Sequence, residues 1–423
     1  MKRSPKGASP VRAVRLGRFS VFFLLCVCVA QVTRAQDPAP GAQAPETQSP
    51  SPKDAAQNST TSATTETKDE EKTAKAEEKK KEEEKKAHRG AIVVAPLPIV
   101  SPAIGSGIVP VVGYIFPLQV NKEHPEPSVI GAAGLITNNG TRGFGLGGDV
   151  YLKEARYEIK SVYVHGNIDY NLYGVGYVNG NAGLKLPLVQ TGQVFFAEFL
   201  RNIGWEVYVG ARFVTGNSFV TIKPTEGGGL LPPIPPDVGL QTNLRALGME
   251  VVRDSRPNRF YPVKGSLVDF TGDFFANSLG SKYSFQSYKF TFNKYASLSS
   301  KQVLAYNLFF CGTGGAPPFY GNCIYGTNNE LRGYTAGRYL DRYMLGNQLE
   351  YRLVLPWRLG LVAFGGVGEV APGVDKFRAD AFLPAGGTGI RFLLSKKYHV
   401  NLRTDFAWGK DNFTWSMGVG EAF

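Results

Sequence analysis

The chain has 423 residues, 50 of them glycine, with 12% aromatic side chains and a formal charge of +12. Seven Lys/Arg and no acid fall within residues 1–35, and no Lys/Arg cluster with interleaved aromatics follows, which argues against nucleic-acid binding. No run of 18 apolar residues follows the N-terminus, which excludes a spanning helix beyond it.

Met1–Ala35 reads as a secretory signal peptide. Lys2, Arg3, Lys6, Arg12, Arg15 and Arg18 form its charged region, Phe19–Ala30 its short apolar core, and Thr33-Arg34-Ala35 a small-residue cleavage site. Cys26 and Cys28 lie inside it, each followed by Val and without the small-residue context of lipidation. Residues 36–89 then form a tether. Gln36–Thr67 is rich in Pro, Ala, Ser and Thr, and Lys68–Lys86 is a mixed Glu/Lys run. Neither stretch has the apolar surface to offset chain entropy, so disorder is expected.

From Gly90 onward the hydrophobic period is two. In Lys397–Trp408, Tyr398, Val400, Leu402, Phe406 and Trp408 share one face, while Lys397, His399, Asn401, Arg403 and Asp405 share the other. Asp341–Leu355 repeats this, with Tyr343, Leu345, Leu349, Tyr351 and Leu353 against Arg342, Gln348, Glu350 and Arg352. Segments of about ten residues, apolar outside and polar inside, define a transmembrane β-barrel. Sixteen such runs are counted: 91–99, 104–117, 127–137, 142–152, 156–170, 188–200, 203–216, 238–254, 263–277, 283–296, 300–311, 341–355, 359–369, 382–394, 397–408 and 412–423. The fold class is therefore all-β, a barrel of about sixteen antiparallel strands. With sixteen, the short connections at Asn202, Asp254–Pro262, Ser297–Ser299, Pro356–Arg358 and Ser395–Lys396 fall in the periplasm. The long ones at Asn171–Pro187, Asn217–Asp237, Gly312–Leu340 and Val370–Ala381 fall outside the cell. The stretch near Lys122–Ser128 would be a long periplasmic turn. In the last strand Phe413, Trp415, Met417, Val419 and Phe423 fall on the outward face, with Glu421 on that face at the membrane interface.

Asn328–Arg342 (NNELRGYTAGRYLDR) interrupts two such strands with a polar, Arg- and Gly-rich loop. Cys311 and Cys323 flank eleven residues at the start of the same connection. In an oxidising compartment such a pair forms a disulfide, here worth about 2–3 kcal/mol of loop-closure entropy. The alternative is a metal pair, but no His or carboxylate cluster accompanies it.

Three segments resemble one family. Leu247–Gly265 (LGMEVVRDSRPNRFYPVKG) is similar to the Arg-Asp-Ser/Thr-Arg…Phe-Tyr-Pro-x-Lys-Gly turn of Omp85 barrels (BamA/TamA, bacterial surface antigen D15). Leu331–Tyr334 (LRGY) resembles the motif of that family's sixth extracellular loop, and Val400–Phe423 resembles its closing strands. The resemblance covers about residues 90–423. It implies that the loop folds into the lumen, that Arg332 docks on acids of the inner wall, that Gly333 lets the tip turn and that Tyr334 packs on the wall. The family's acid lies in a Phe-x-Asp-x-Gly strand, but here Phe364-Gly365-Gly366-Val367-Gly368 places Gly366 at that position. Glu350 and Asp405, inward by alternation, are the expected substitutes. The turn residues Arg253, Asp254, Arg256, Phe260, Tyr261, Pro262, Lys264 and Gly265 are expected to stabilise a periplasmic turn. Phe413, Trp415 and Phe423 would form the C-terminal signal read by the cell's barrel-assembly machinery, of which the chain would be a client.

No catalytic constellation emerges. The four His are scattered, GTGGAP is not followed by Lys-Ser/Thr, and GxSxG is absent. Asp269 and Asp273 are explained by a polar lumen. No cofactor is called for. Full family members carry periplasmic polypeptide-transport (POTRA) modules before the barrel, and residues 36–89 are too polar to form one. The expected role is assistance of protein (or lipid) insertion or translocation at the outer membrane of a Gram-negative bacterium, in contact with its lipids. A separate periplasmic protein or client is a possible partner. A passive channel or structural surface antigen with a loop plug is the alternative, and an enzyme is not expected.

Overall fold

The computed structural model describes residues 90–423 except 102, 117, 119–127, 154, 224–233, 327–330, 397–398 and 411. The segments read as signal peptide and tether lie outside the described residues, as do most of the 122–128 connection and positions 328–330 of the Arg/Gly-rich loop.

Sixteen antiparallel strands follow chain order around one sheet among the described residues. The first eleven are β1 Ala91–Ser101, β2 Gly105–Phe116, β3 Ser128–Thr137, β4 Arg142–Leu152, β5 Tyr157–Leu172, β6 Leu186–Gly204, β7 Val207–Ile222, β8 Gln241–Asp254, β9 Gly265–Phe275, β10 Phe285–Ser299 and β11 Gln302–Gly315. A long loop follows, containing the two-residue strands β12 Cys323–Ile324 and β13 Leu340–Asp341, which pair only with each other. The sheet resumes with β14 Tyr343–Val354, β15 Leu359–Ala371, β16 Leu383–Ser395, β17 Val400–Gly409 and β18 Asn412–Val419. A short helix, α1 (Tyr177–Ala182), sits in the β5–β6 connection.

The tight connections β6–β7, β10–β11, β14–β15 and β16–β17 all fall at one end of the barrel, called here the short-turn end. The β5–β6, β7–β8, β11–β14 and β15–β16 connections fall at the other. Outward side chains form an apolar belt that includes Ile108, Val112, Ile130, Leu146, Phe199, Leu247, Leu349, Leu361 and Ile390, all exposed. Such a surface suits a hydrocarbon surround, and the ladders between successive strands satisfy the backbone within it.

The interior differs from the expected uniformly polar face. Leu97, Val109, Val111, Val129, Leu135, Val164, Val194 and Leu244 are buried in one apolar cluster. In β2, Val109, Val111 and Ile115 are buried while Ile108, Val112 and Tyr114 are exposed, so both faces are apolar. A strand with a dry packed face and a lipid face need not alternate in polarity. The charged interior is concentrated in a patch on β4–β9 and in the wall formed by β14–β18, and buried Asn293 and Asn307 pair between β10 and β11.

The ring is nearly closed. β1 lies beside β18, but no hydrogen-bonded ladder joins them among the described residues. After β18, Gly420 adopts φ +83°, a conformation that glycine accepts without strain. The chain turns there into the lumen. This corrects the placement of Glu421, which is buried and reaches Arg391 and Asn401 instead of the membrane interface. It also corrects Phe423, whose ring lies 5.8 Å from the Arg352 guanidinium carbon and not on the outward face with exposed Phe413. Val400 and Val419, outward by alternation, are buried in the same apolar cluster as Leu97.

Candidate functional site: the lumenal loop seat

The β11–β14 loop folds back against the inner wall. Its first arm is tied by the Cys311–Cys323 disulfide, which joins β11 to β12. Thr313 fixes the arm further, its amide donating to Arg342 O at 2.8 Å and its hydroxyl to Gly321 O at 3.2 Å. Phe319 and Tyr320 pack toward β8, where the Tyr320 hydroxyl meets the Thr242 hydroxyl at 2.9 Å. Tyr325, Tyr334 and Tyr339 stack edge to face, with centroids 5.1–6.3 Å apart. Burial pushes the Tyr325 phenol well above its ordinary pKa, so it stays a donor, to Leu383 O at 2.7 Å. On the far side Arg338 Nε donates to Gly180 O of α1 at 3.3 Å.

Arg332 is buried against the wall, only 4% exposed. Its Nη1 donates to Asp405 Oδ2 on β17 at 2.9 Å, its Nη2 to Glu350 Oε2 on β14, and its Nε to Gln348 Oε1 at 3.1 Å. The guanidinium carbon lies 3.5 Å from the centre of the Phe364 ring on β15, a cation–π stack. All three nitrogens and one π face are therefore used. A lysine, a point charge on a flexible stem, has no fork to do this.

The network continues toward the short-turn end. Arg352 Nε donates to Glu350 Oε1 at 2.7 Å, and Arg391 reaches Asp405 Oδ1 at 2.6 Å and Glu421 Oε2 at 2.7 Å. Arg352 also donates to Pro262 O at 3.3 Å and to Phe423 O at 2.9 Å, with Tyr261, Tyr295 and Phe423 rings around it. The loop motif, the turn motif and the C-terminal segment, far apart in sequence, thus meet through Glu350 and Arg352.

The wall receives the loop because it lacks side chains there. A Cβ on Gly366 would lie 2.1 Å from Asn347 O and 2.7 Å from Leu331 Cδ1, so fully buried Leu331 fills the space where the family pattern has its acid. A Cβ on Gly368 would meet Tyr325 at 2.6 Å, and one on Gly409 would meet Gly333 O at 2.6 Å. Gly333 itself has φ +112° and backs onto Trp408 and Ala385, where a Cβ would come within 3.0–3.1 Å. Tyr334 reaches over the rim, donating to Pro384 O at 2.6 Å and accepting from Lys410 N at 3.0 Å.

The turn motif forms its own knot. Asp254 accepts from Arg256 Nε at 2.8 Å and Nη2 at 2.7 Å, and pairs with Arg259 Nε at 3.0 Å. Burial alone would pull the Arg256 guanidinium down, but the Asp254 carboxylate outweighs it and the net shift is upward. Phe260 is buried in the apolar cluster and Pro262 is buried, whereas Lys264 is exposed and Arg253 faces exposed Glu206 at 3.8 Å. Gly265 has φ +91°, with Ser255 O where a Cβ would sit. Trp415 is half-buried on β18.

Sequence reasoning did not single out Arg352, Arg391, Glu421, Gln348 or Arg259 as partners. Arg352 and Gln348 were legible as inward by alternation, but Glu421 was hidden by the turn at Gly420. Sequence reasoning placed Asp269 and Asp273 in a polar lumen but did not find the partners that make a second lumenal patch there. There Arg212 binds Glu198, Glu250 at 2.7 Å and Asp273 at 3.0 Å, beside Lys160 with Glu158 at 3.0 Å. Asp269 is buried nearby on β9. No group of three or more His, Cys, Asp or Glu suited to a metal occurs among the described residues.

Sixteen antiparallel strands, an apolar exterior and a loop pinned inside by an arginine define a transmembrane β-barrel with an inward-folded loop. The chain belongs to the Omp85 superfamily, whose domain matches residues 143–423. Among solved structures it is similar to BamA from Haemophilus ducreyi lacking POTRA domains 1–3, with 14% identity and a TM-score of 0.50 over 78% of this chain and 70% of that one. It is also similar to CdiB from Acinetobacter baumannii (12%, TM-score 0.47) and from Escherichia coli (8%, TM-score 0.49), each over 78% of this chain. It spans 59% and 61% of those two chains. At such identities the likeness is one of fold. No curated protein matches by sequence. No POTRA-like domain occurs among the described residues.

Proposed function

We propose that this protein is an outer-membrane barrel of a Gram-negative bacterium that assists insertion or translocation of proteins, or of lipids, at that membrane. It reaches the membrane through a cleaved signal peptide, as a client of the barrel-assembly machinery, and residues 36–89 tether it to a periplasmic partner. The loop motif Leu331–Tyr334 acts as a latch that sets the spacing of β14–β17. The observation that carries this reading is the unladdered contact of β1 and β18 in an otherwise continuous sheet. Two strand edges that have not spent their hydrogen bonds on each other are able to offer them to an incoming strand or to part for a lipid. Pro96 and Pro98 in β1 have no amide to donate, which weakens that edge further.

The test is a reversible disulfide engineered between β1 and β18, assayed in proteoliposomes for assembly of a second, unfolded barrel. Activity should fall when the seam is oxidised and return on reduction. Full activity with the seam locked would sink the gate. The passive-channel reading is tested by planar-bilayer conductance before and after deleting residues 326–338. A current that appears only on deletion would favour a plugged channel.

A further inference from the structure

Arg391 on β16 and Arg403 on β17 stand directly opposite each other in the ladder, and both are buried, 3% and 2% exposed. Like charges so placed repel, and a buried charge without a partner costs several kcal/mol. Arg391 is compensated by Asp405 and Glu421, yet its Nη2 has no hydrogen-bond acceptor and lies 3.9 Å from Glu350. Arg403 fares worse, since its Nε and Nη1 are buried with no acceptor at all. The nearby carboxylates are taken. Glu350 serves Arg332 and Arg352, Asp405 serves Arg332 and Arg391, and Glu421 serves Arg391 and Asn401. The oxygen of Phe423 is held by Arg352.

The row in which the two arginines stand ends in glycine on both sides, and the arginine side chains lie over those glycines. It reads Gly360, Arg391, Arg403, Gly418 across β15–β18. Arg403 lies along Gly418, where a Cβ would come within 2.7 Å of its Nε. Gly418 belongs to β18, the strand with no ladder to β1, so this guanidinium lies one strand from the seam.

We propose that Arg403, with Arg391, binds one phosphate-class oxyanion on the lumenal side of the β1/β18 seam. A guanidinium fork fits two phosphate oxygens at once, and the anion supplies the acceptor that no carboxylate of the cluster gives to Nε and Nη1 of Arg403. The anion is either free phosphate or the phosphate of a lipid headgroup entering by the seam. The inference does not depend on any insertion activity.

The experiment is urea unfolding of the full-length barrel in phosphatidylcholine vesicles at constant ionic strength, with chloride replaced stepwise by inorganic phosphate. Binding raises the folded-to-unfolded ratio about tenfold at phosphate ten times its dissociation constant. Arg403→Gln should abolish the response, and Arg403→Lys should keep a weakened one. The lipid arm replaces phosphatidylcholine with phosphatidylglycerol in the absence of phosphate. Stabilisation by phosphate alone identifies the free ion, and stabilisation by phosphatidylglycerol alone identifies the headgroup, each lost in Arg403→Gln. No response of the native protein to either, or an equal response in Arg403→Gln, overturns the proposal. If Arg403→Gln fails to fold, Arg403→Lys takes its place, and an undiminished response in it overturns the proposal.

Discussion

Arg332 Nη1 donates to Asp405 Oδ2 at 2.9 Å across 73 residues of chain. The same guanidinium holds Glu350, so one loop side chain fastens β14 to β17 from within the barrel.

Removing Arg332 should therefore cost more than the loss of a surface pair. Arg332→Ala leaves both carboxylates facing each other in a buried site, and an effect of about 3–5 kcal/mol is expected. Urea unfolding in detergent measures it. The cost of Arg332→Ala in an Asp405→Asn background should be smaller, because the two residues act as one unit. Additive costs would show that the contact carries no energy.

Reinstating the family's acid at Gly366 should weaken this barrel. Gly366→Asp puts a Cβ against Asn347 O and Leu331, and overpacking of this kind costs about 1–3 kcal/mol or more. A lowered unfolding midpoint is expected, and a raised one would mean that Leu331 yields its place to a new partner for Arg332.

The disulfide ties the loop's first arm to the wall. Cys311→Ser should destabilise by about 2–3 kcal/mol and expose residues 312–342 to protease added to intact barrels. Unchanged protease resistance would mean that the tyrosine cluster alone holds the arm.

Tyr334→Phe removes one donated and one accepted hydrogen bond at the rim of β16 and β17. A cost of about 1–2 kcal/mol is expected, with faster amide exchange at Lys410, whose N–H loses its acceptor. Exchange at Lys410 equal to the native rate would refute the rim contact.

Much of this architecture was legible from one period. β14 and β17 alternate cleanly between a lipid face and a charged lumen, and that alternation put Glu350 and Asp405 inside, while the resemblance of Leu331–Tyr334 to the family's loop motif brought Arg332 to them. It failed where the environment does not alternate. β2 is apolar on both faces because its inner face packs in a dry cluster. Glu421 and Phe423 were misplaced because one glycine at φ +83° turns the chain out of its pleat. Arg391 was not singled out, and one of its two hydrogen-bonded carboxylates, Glu421, depends on that same turn; β12 and β13, two residues each, exist only through tertiary packing.

The bare stretches of wall beneath the loop bear on how such a barrel can change. Gly366 is matched to Leu331, Gly368 to Tyr325, Gly409 to Gly333 and Tyr334, and Gly180 of the outer loop to Arg338 and Tyr339. Each hollow is filled by one or two close-fitting counterparts, so a substitution on one side is tolerated only with its complement on the other. Drift in this lumen must proceed by paired swaps, large for small against small for large, and a loop transplanted from a related barrel would arrive with knobs for hollows this wall does not have.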